Sequence, residues 1–253
     1  ANPVGAVTAY ESVEAAVRLN FFDRRGRLRT LPYSAIDEAW QPALPGTALA
    51  LEAGSPAAQV AIENFGAAAA TDLTSLTWAG WLRAREPNAP GTIADYSAAG
   101  GGWQILNPAD VQITINGEAT PAQSINLADG QWHHLAFTWQ SASGQLHLYI
   151  DGLIRYSGTV AQGGAIPLGG TLRLGARPTG AVPFLGYLSE VSTWSDVLSA
   201  DEIQAQRHLF LTGDEPGLLG YWSMNDVGRE DVRDRSPHGH HGTRLGQASL
   251  VPD

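Results

Sequence analysis

The chain has 253 residues, a formal net charge of -10 and no cysteine. The excess of acidic residues disfavours nucleic acid and anionic membrane surfaces as partners, because both are bound mainly through Lys and Arg clusters. The lack of cysteine excludes disulfides and thiolate metal sites, so stability must come from a packed core. Hydrophobic residues at 43% argue against disorder, and no apolar run reaches the roughly 18 residues of a membrane-spanning helix.

The first predicted elements are short strands. Alternation of apolar residues predicts strands at 48–51, 59–62, 76–84, 92–96, 103–107 and 111–115. Trp78 and Trp81 fall on opposite faces of the strand at 76–84, so both faces of that strand are expected to be covered. Asn116 and Gly117 then form a dipeptide typical of a tight hairpin turn.

The centre of the chain, residues 130–152, predicts two buried strands joined by a tight turn. Leu135, Phe137 and Trp139 alternate with Ala, Thr and Gln, and the arm at 146–151 repeats this period of two. Small residues at 141–144 supply the turn, and Asp151-Gly152 signals the next reversal. The protein is therefore expected to be built on antiparallel β structure.

The one predicted helix spans 200–211. Ser199 is placed as its N-cap, and Glu202 follows three residues later to complete a capping box. The tail at 218–246 then carries the segment YWSMND and the turn-like run SPHGHHG.

Three segments carry a resemblance to the laminin-G-like and pentraxin families, whose fold is concanavalin A-like: LTWAGWLRA at 76–84, the central WHHLAFTW and LHLYIDG arms, and GYLSEVSTWSDVLSADEIQ at 186–204. The resemblance covers 48–211. It implies an all-β, two-sheet antiparallel jelly-roll sandwich with one short helix near 200–211, in a single domain spanning 1–253. The tail resembles a segment of laminin-G-like modules in bacterial multidomain proteins. We expect it to close this domain, and the start of a following repeat is the alternative.

The resemblance to pentraxins raises the possibility of calcium. The stretches corresponding to the family's acidic ligands, 97–102 and 175–179, contain no carboxylate, so the pentraxin arrangement is not carried over. Asp95, Asp110 and Asp234 remain weak candidates for a different, single-ion site. The histidines of the SPHGHHG turn could hold zinc, but adjacent turn residues rarely converge on one ion, which favours a structural role.

Catalytic patterns are missing from the sequence. The chain has no closely spaced pair of carboxylates on one strand, no G-x-S-x-G and no phosphate-binding glycine loop, so we expect that it is not an enzyme. Aromatic residues near loops are the remaining ligand-binding candidates, because sugar rings stack on exposed aromatic faces. These candidates are Trp40, Tyr96 and Trp103.

The leading functional hypothesis is a secreted or cell-surface binding and adhesion module, bacterial and part of a larger protein. Such a module would recognise a glycan or a protein partner through loops at the rim of the sandwich, without inserting into a membrane. A structural module that contacts neighbouring domains or its own copies is the alternative. A polysaccharide-active enzyme is a third and weaker reading.

Overall fold

A computed structural model describes residues 8–11, 17–22, 28–34, 39–40, 46–67, 71–207 and 209–252. Two large antiparallel sheets form the sandwich, which confirms the predicted fold class. A separate four-stranded sheet comes from the N-terminal part of the chain. Among the described residues, one short helix, α1, spans Ala200–Gln206.

Strands are numbered in chain order. The N-terminal sheet contains β1 (Thr8–Glu11), β2 (Val17–Phe22), β3 (Leu28–Ser34) and β4 (Ala39–Trp40). The first sheet of the sandwich has, in spatial order, β11 (Glu118–Ala119), β10 (Gln112–Ile115), β9 (Gly101–Leu106), β8 (Thr92–Ala98), β15 (Gly170–Leu174), β6 (Gln59–Phe65), β19 (Gly242–Leu245) and β18 (Asp231–Val232). The second sheet has β14 (Leu153–Thr159), β13 (Gln145–Ile150), β12 (His133–Gln140), β7 (Ser75–Ala84), β16 (Gly186–Trp194), β5 (Thr47–Leu51) and β20 (Ala248–Pro252), with β17 (Leu218–Trp222) paired to β16.

The predicted central hairpin is confirmed as β12 and β13. Phe137 lies opposite Leu148 of β13 on one side and opposite Trp78 of β7 on the other. The hairpin therefore occupies the middle of the second sheet. The turn at Asn116-Gly117 is also confirmed, since both residues have positive φ angles, 48° and 85°.

A chain of aromatic rings crosses the core between the two sheets. Tyr96 and Trp103 of the first sheet stack with ring centroids 6.2 Å apart, and Trp103 meets Phe137 of the second sheet edge to face at 5.7 Å. On its other side, Tyr96 contacts Phe65, which in turn contacts Trp222 at 5.9 Å. These rings tie both sheets together, because such contacts add to the free energy of burying the aromatic surface.

The outer face of the second sheet is also covered. Ala79, Ala136 and Tyr149 point away from the main core and pack in a second cluster with Ile203 of α1 and Leu218 of β17. The expectation that both faces of β7 are covered is met, since Trp78 lies in the main core and Trp81 is buried against the ring of His134.

The helix is shorter than predicted. Its capping box is confirmed, because the Ser199 side chain accepts from the Glu202 backbone N–H and the Glu202 side chain accepts from the backbone N–H of Ser199. The predicted end at 211 is wrong, since α1 ends at Gln206. The apolar residues that suggested a longer helix, 209–211, instead line a pocket over Trp81.

The tail supplies strands to both sheets. β17 pairs with β16 and β20 pairs with β5 in the second sheet, while β19 pairs with β6 in the first. Asp234 holds this region together by accepting hydrogen bonds from the backbone N–H groups of Tyr221, Ser236 and His240 and from the Ser236 hydroxyl. The domain limits 1–253 stay a prediction.

We expect Ser199→Ala to lower the free energy of unfolding by about 1 kcal/mol, because it removes an N-cap acceptor. Urea unfolding followed by tryptophan fluorescence measures the change. Gln204→Ala, at an exposed position of the same helix, is the matched control and should change stability little. Equal losses in the two variants would contradict the assigned role of the cap.

Candidate functional site

The outward face of the first sheet carries a row of polar side chains. Leu172, Trp103 and Tyr96 belong to the core, so residues one position away on the same strands face outward. Strand pairing places Asp95 between Gln104 of β9 and Arg173 of β15. We call this surface the polar strip, formed by Glu63, Asp95, Ser97, Gln104, Thr171 and Arg173.

Hydrogen bonds fix several of these side chains. The Gln104 amide Nε2 donates to Asp95 Oδ2 at 2.6 Å, and the Thr171 hydroxyl donates to Glu63 Oε2 at 2.7 Å. Arg173 Nη1 donates to the Ser97 hydroxyl at 3.4 Å, a long hydrogen bond. The strip thus offers amide, hydroxyl, guanidinium and carboxylate groups on a rigid sheet.

Asp95, at the centre of the polar strip, has a carboxylate oxygen that accepts no hydrogen bond. Asp95 is only 1% exposed, yet its Oδ1 atom has no hydrogen-bond partner. Gln59, on neighbouring β6, likewise has a buried Oε1 without a partner. Buried polar atoms are nearly always hydrogen-bonded, so these two acceptors are unusual. The groups of the strip that reach the surface are the partly exposed side chains of Gln104 and Arg173.

Two of the predicted ligand-binding rings lie in the core. Tyr96 and Trp103 are each 1% exposed, and the Tyr96 hydroxyl donates to the Pro167 carbonyl. The expectation that these rings are exposed is not met, because their strands turn them toward the opposite sheet. Trp40 lies in β4, and its side chain falls outside the described part of the chain.

The three weak metal candidates do not form one site. Asp95 pairs with Gln104, Asp110 accepts from the Ser124 N–H, and Asp234 accepts several tail donors. Within the described ranges, no three His, Asp or Glu side chains converge in an arrangement suited to a metal ion. In the part of the chain that the structure describes, these three aspartates therefore do not form the cluster of several carboxylates that is usual for calcium.

The tail histidines make structural contacts. His240 packs its ring on Phe65 and accepts from the Gly66 N–H, and burial lowers its pKa. His241 accepts from the Asp234 N–H, and the ring of His238 lies 3.1 Å from the Leu218 carbonyl oxygen. The structural reading of this turn is consistent with these contacts.

His133 and two aspartates form a cluster at the start of β12. Its Nδ1 lies 2.9 Å from Asp151 Oδ2, and its Nε2 lies 3.1 Å from Asp129 Oδ1. The hydrogen bond to Asp151 is the main cause that raises the pKa of His133. Both ring nitrogens are thus engaged, which orders the turn between Asp129 and β12.

Glu190 carries a half-buried carboxyl that was not predicted from the sequence. A bulge in β16 gives this residue a positive φ of 51°, which is uncommon for a residue with a side chain. Its carboxylate accepts from the Tyr221 hydroxyl, and that oxygen interacts with the backbone N–H of Leu211. Burial raises the pKa of Glu190 to about 7.

The residues around Glu190 form a small pocket on the outer face of the second sheet. It is lined by Trp81, His134, Glu190, Ser192, Gln206, Tyr221 and residues 209–211. A bulge cannot be inferred from strand alternation. The one signal in the sequence is that Glu190 is the only charged residue in the segment 184–194.

A second unpredicted group combines arginine with aromatic rings. The guanidinium carbons of Arg83 and Arg85 lie 4.5 and 5.3 Å from the centre of the Tyr187 ring, and Arg83 also lies 5.1 Å from that of Trp132. Glu52 pairs with Arg85 at 3.0 Å. Cation–π contacts of this kind stabilise the end of the second sheet.

The two packed antiparallel sheets define a concanavalin A-like sandwich. A family model described as the concanavalin A-like lectin/glucanases superfamily matches residues 54–204, more than half of the chain. The chain belongs to this superfamily, and the predicted laminin-G-like and pentraxin-like character is confirmed. Among the described residues, no helix has the length and apolar character needed to cross a bilayer.

Curated relatives include pentraxins and pentraxin-containing proteins. The chain is 31% identical over 144 residues to the sushi, von Willebrand factor type A, EGF and pentraxin domain-containing protein 1 of Rattus norvegicus, covering 53% of this chain and 4% of that protein. It is 30% identical over 170 residues to human neuronal pentraxin-2, covering 62% of this chain and 38% of that protein. The chain thus spans less than half the length of these relatives.

Solved structures agree on the fold. A candidate carbohydrate binding protein from Bacteroides ovatus ATCC 8483 aligns with a TM-score of 0.63 and 15% identity, covering 94% of this chain and 68% of that one. The native heptameric SAP-like pentraxin from Limulus polyphemus aligns with a TM-score of 0.53 and 14% identity, covering 81% of this chain and 94% of that one. At these identities the likeness concerns the fold alone.

Glu190 should make stability depend on pH. Its pKa is raised from 4.5 to about 7 in the folded protein, so the stabilising contribution of its neutral form is complete below pH 4.5 and is lost as the pH rises through 7. This loss is at most roughly 3 kcal/mol. In Glu190→Gln, which stays neutral, that part of the pH dependence should disappear.

Urea unfolding at pH values from about 4 to about 8, which bracket both pKa values, measures this difference. Glu230→Gln, at an exposed position, is the control and should keep the wild-type pH dependence. The same slope in wild type and Glu190→Gln would show that Glu190 does not titrate in this range.

Proposed function

We propose that this chain is a non-catalytic, extracellular binding module that recognises a glycan at the polar strip. The observation that carries the proposal is the row of partly exposed polar side chains on adjacent strands, in which Gln104 and Arg173 flank Asp95. Sugars present many hydroxyl groups that both donate and accept hydrogen bonds. A row of carboxylate, amide and guanidinium groups on a rigid sheet is complementary to them.

The polar strip lies on strands, whereas the sequence suggested loops at the rim. The rim segment between β8 and β9 consists of Ala and Gly around residues 98–101, which offer no polar side chain. The polar side chains lie instead on the strands, where backbone pairing fixes their spacing. Rigid strands place hydrogen-bonding groups more accurately than loops do.

The names of several relatives and neighbours support this proposal. Pentraxins recur among the curated relatives, and the Bacteroides ovatus neighbour is a candidate carbohydrate binding protein. That the chain is not an enzyme stays a prediction. A secreted or cell-surface location, a bacterial source and a place within a larger protein are also parts of the proposal.

We expect Gln104→Ala and Arg173→Ala each to weaken binding of a glycan by about tenfold, because each removes a hydrogen bond that is worth roughly 1.4 kcal/mol. A glycan array identifies the ligand, and isothermal titration calorimetry then compares the variants. Arg155→Ala is the matched control, since this exposed arginine lies in β14 of the other sheet. It should bind as the wild type does.

An empty array would contradict glycan recognition. If a pull-down then captured a protein whose binding depends on Gln104 and Arg173, the strip would be a protein-binding surface. Cleavage of a polysaccharide from the same panel would show that the module is an enzyme. If both strip variants bound the glycan as the wild type does, the ligand would bind at another part of the chain.

A further inference from the structure

The pocket around Glu190 combines a carboxylate with aromatic walls. Trp81 of β7, Tyr221 of β17 and Phe210 line it together with Glu190. Its empty volume is about 280 Å³ with the open mouth included, which is below the roughly 300 to 1,000 Å³ typical of pockets for drug-sized ligands. Phe210 is 44% exposed, so this side of the pocket reaches the surface. The pocket therefore suits the end of one extended side chain.

The carboxylate of Glu190 has no counter-charge in direct contact. Among the described residues, the one hydrogen bond that it accepts comes from the Tyr221 hydroxyl, and no arginine lies within salt-bridge distance of it. Arg235 acts on it through its charge, but this arginine is paired with Asp226 at 2.9 Å. Removing a carboxylate from water without an ion-pair partner costs free energy. A cation brought by a ligand would supply that partner.

The backbone conformation of Glu190 is a second feature typical of binding sites. Regular alternation from Leu188, which lies in the main core, would point Glu190 into the core as well. The bulge in β16 instead places its side chain in the outer pocket, at the cost of a left-handed φ of 51°. Strained conformations of this kind cluster at active sites and ligand clamps.

We propose that this pocket binds the side-chain ammonium group of a lysine on a protein partner. The Tyr221 hydroxyl occupies Oε2 of Glu190, which leaves Oε1 for the ligand. A single oxygen suits a compact ammonium group, whereas a guanidinium group prefers to bind both oxygens of a carboxylate. The rings of Trp81 and Phe210 pack against the alkyl stem and interact with the positive charge.

The composition of the chain supports a different protein as the partner. All 15 basic residues are arginines, so a second copy of the chain has no lysine to insert. The net charge of -10 attracts a cationic partner. The pocket lies on the second sheet, so this proposal does not rest on glycan recognition by the polar strip.

Ionisation of Glu190 should control this binding. Burial raises its pKa to about 7, whereas a lysine stays protonated up to about pH 10. Of the other groups around the carboxylate, Tyr221 has a pKa raised further by burial and stays neutral, Arg235 stays charged, and α1 contributes the uncharged Gln206. His134 of β12 gains a positive charge only on acidification, which acts in the same direction. Binding should therefore be about tenfold weaker at pH 6 than at pH 8.

Titration of the full chain with Nα-acetyl-lysine methylamide, up to roughly 50 mM, tests the proposal. The shift of the Trp81 indole N–H resonance, assigned with Trp81→Phe, reports occupation of the pocket. We expect a saturable shift whose dissociation constant is about tenfold larger at pH 6 than at pH 8. The norleucine analogue, which has the alkyl stem without the ammonium group, should give no saturable shift.

Two variants remove the contacts on which binding depends. Glu190→Gln keeps the shape of the side chain without its charge, and we expect it to raise the dissociation constant at pH 8 at least about tenfold. Phe210→Ala should raise it about threefold, because it removes one aromatic wall at an exposed position that leaves folding intact. Asp201→Asn is the matched control, since it removes one acidic charge from an exposed position of α1, and it should bind as the wild type does.

Several outcomes would overturn the proposal. A wild-type chain without a saturable shift at pH 8 has no lysine site in this pocket. Unchanged binding in Glu190→Gln would place the ammonium group elsewhere, and equal binding of the norleucine analogue would show an apolar pocket only. If glucosamine bound more tightly than the lysine probe, the site would be one for an amino sugar.

Discussion

The contact between the two sheets through Trp222, Phe65, Tyr96, Trp103 and Phe137 is the constraint on which the rest of the structure depends. Without disulfides, the sandwich must be held by buried surface, and aromatic rings supply the most surface per residue. Except for Tyr96 and Trp103, which lie on consecutive strands, the rings come from strands far apart in sequence. Their contacts therefore set the order and the spacing of both sheets.

This inward use of aromatic residues leaves the two outer faces to different roles. The outer face of the second sheet is covered by α1 and flanking residues such as Leu198 and Leu211, so it forms a second core. The first sheet keeps a polar outer face, where Asp95 and Arg173 alternate with core residues on the same strands. The outer face of the second sheet thus contributes to stability, whereas that of the first sheet presents hydrogen-bonding groups.

The elements that could be predicted from sequence were those encoded locally. The alternation in β12 and β13 and the capping box at Ser199 depend on neighbouring residues, and both are present. The polar strip also depends on the pairing of β15 with β8 and β6, which are distant from it in sequence. Tyr96 and Trp103 lie near loops, which made them ligand-binding candidates. Nearness to a loop does not reveal which way a ring points, and both rings lie in the core.

The pairing of β20 with β5 also bears on how the protein is made. Val251 lies opposite Ala48, so β5, the first strand of the sandwich, is completed on one side only by a strand far later in the sequence. Loop closure over such a separation slows folding, and domains tend to fold as units during synthesis. On the ribosome, β5 would keep an unpaired edge until the tail emerges. Until then, the open edge of β5 is a site at which another chain can pair.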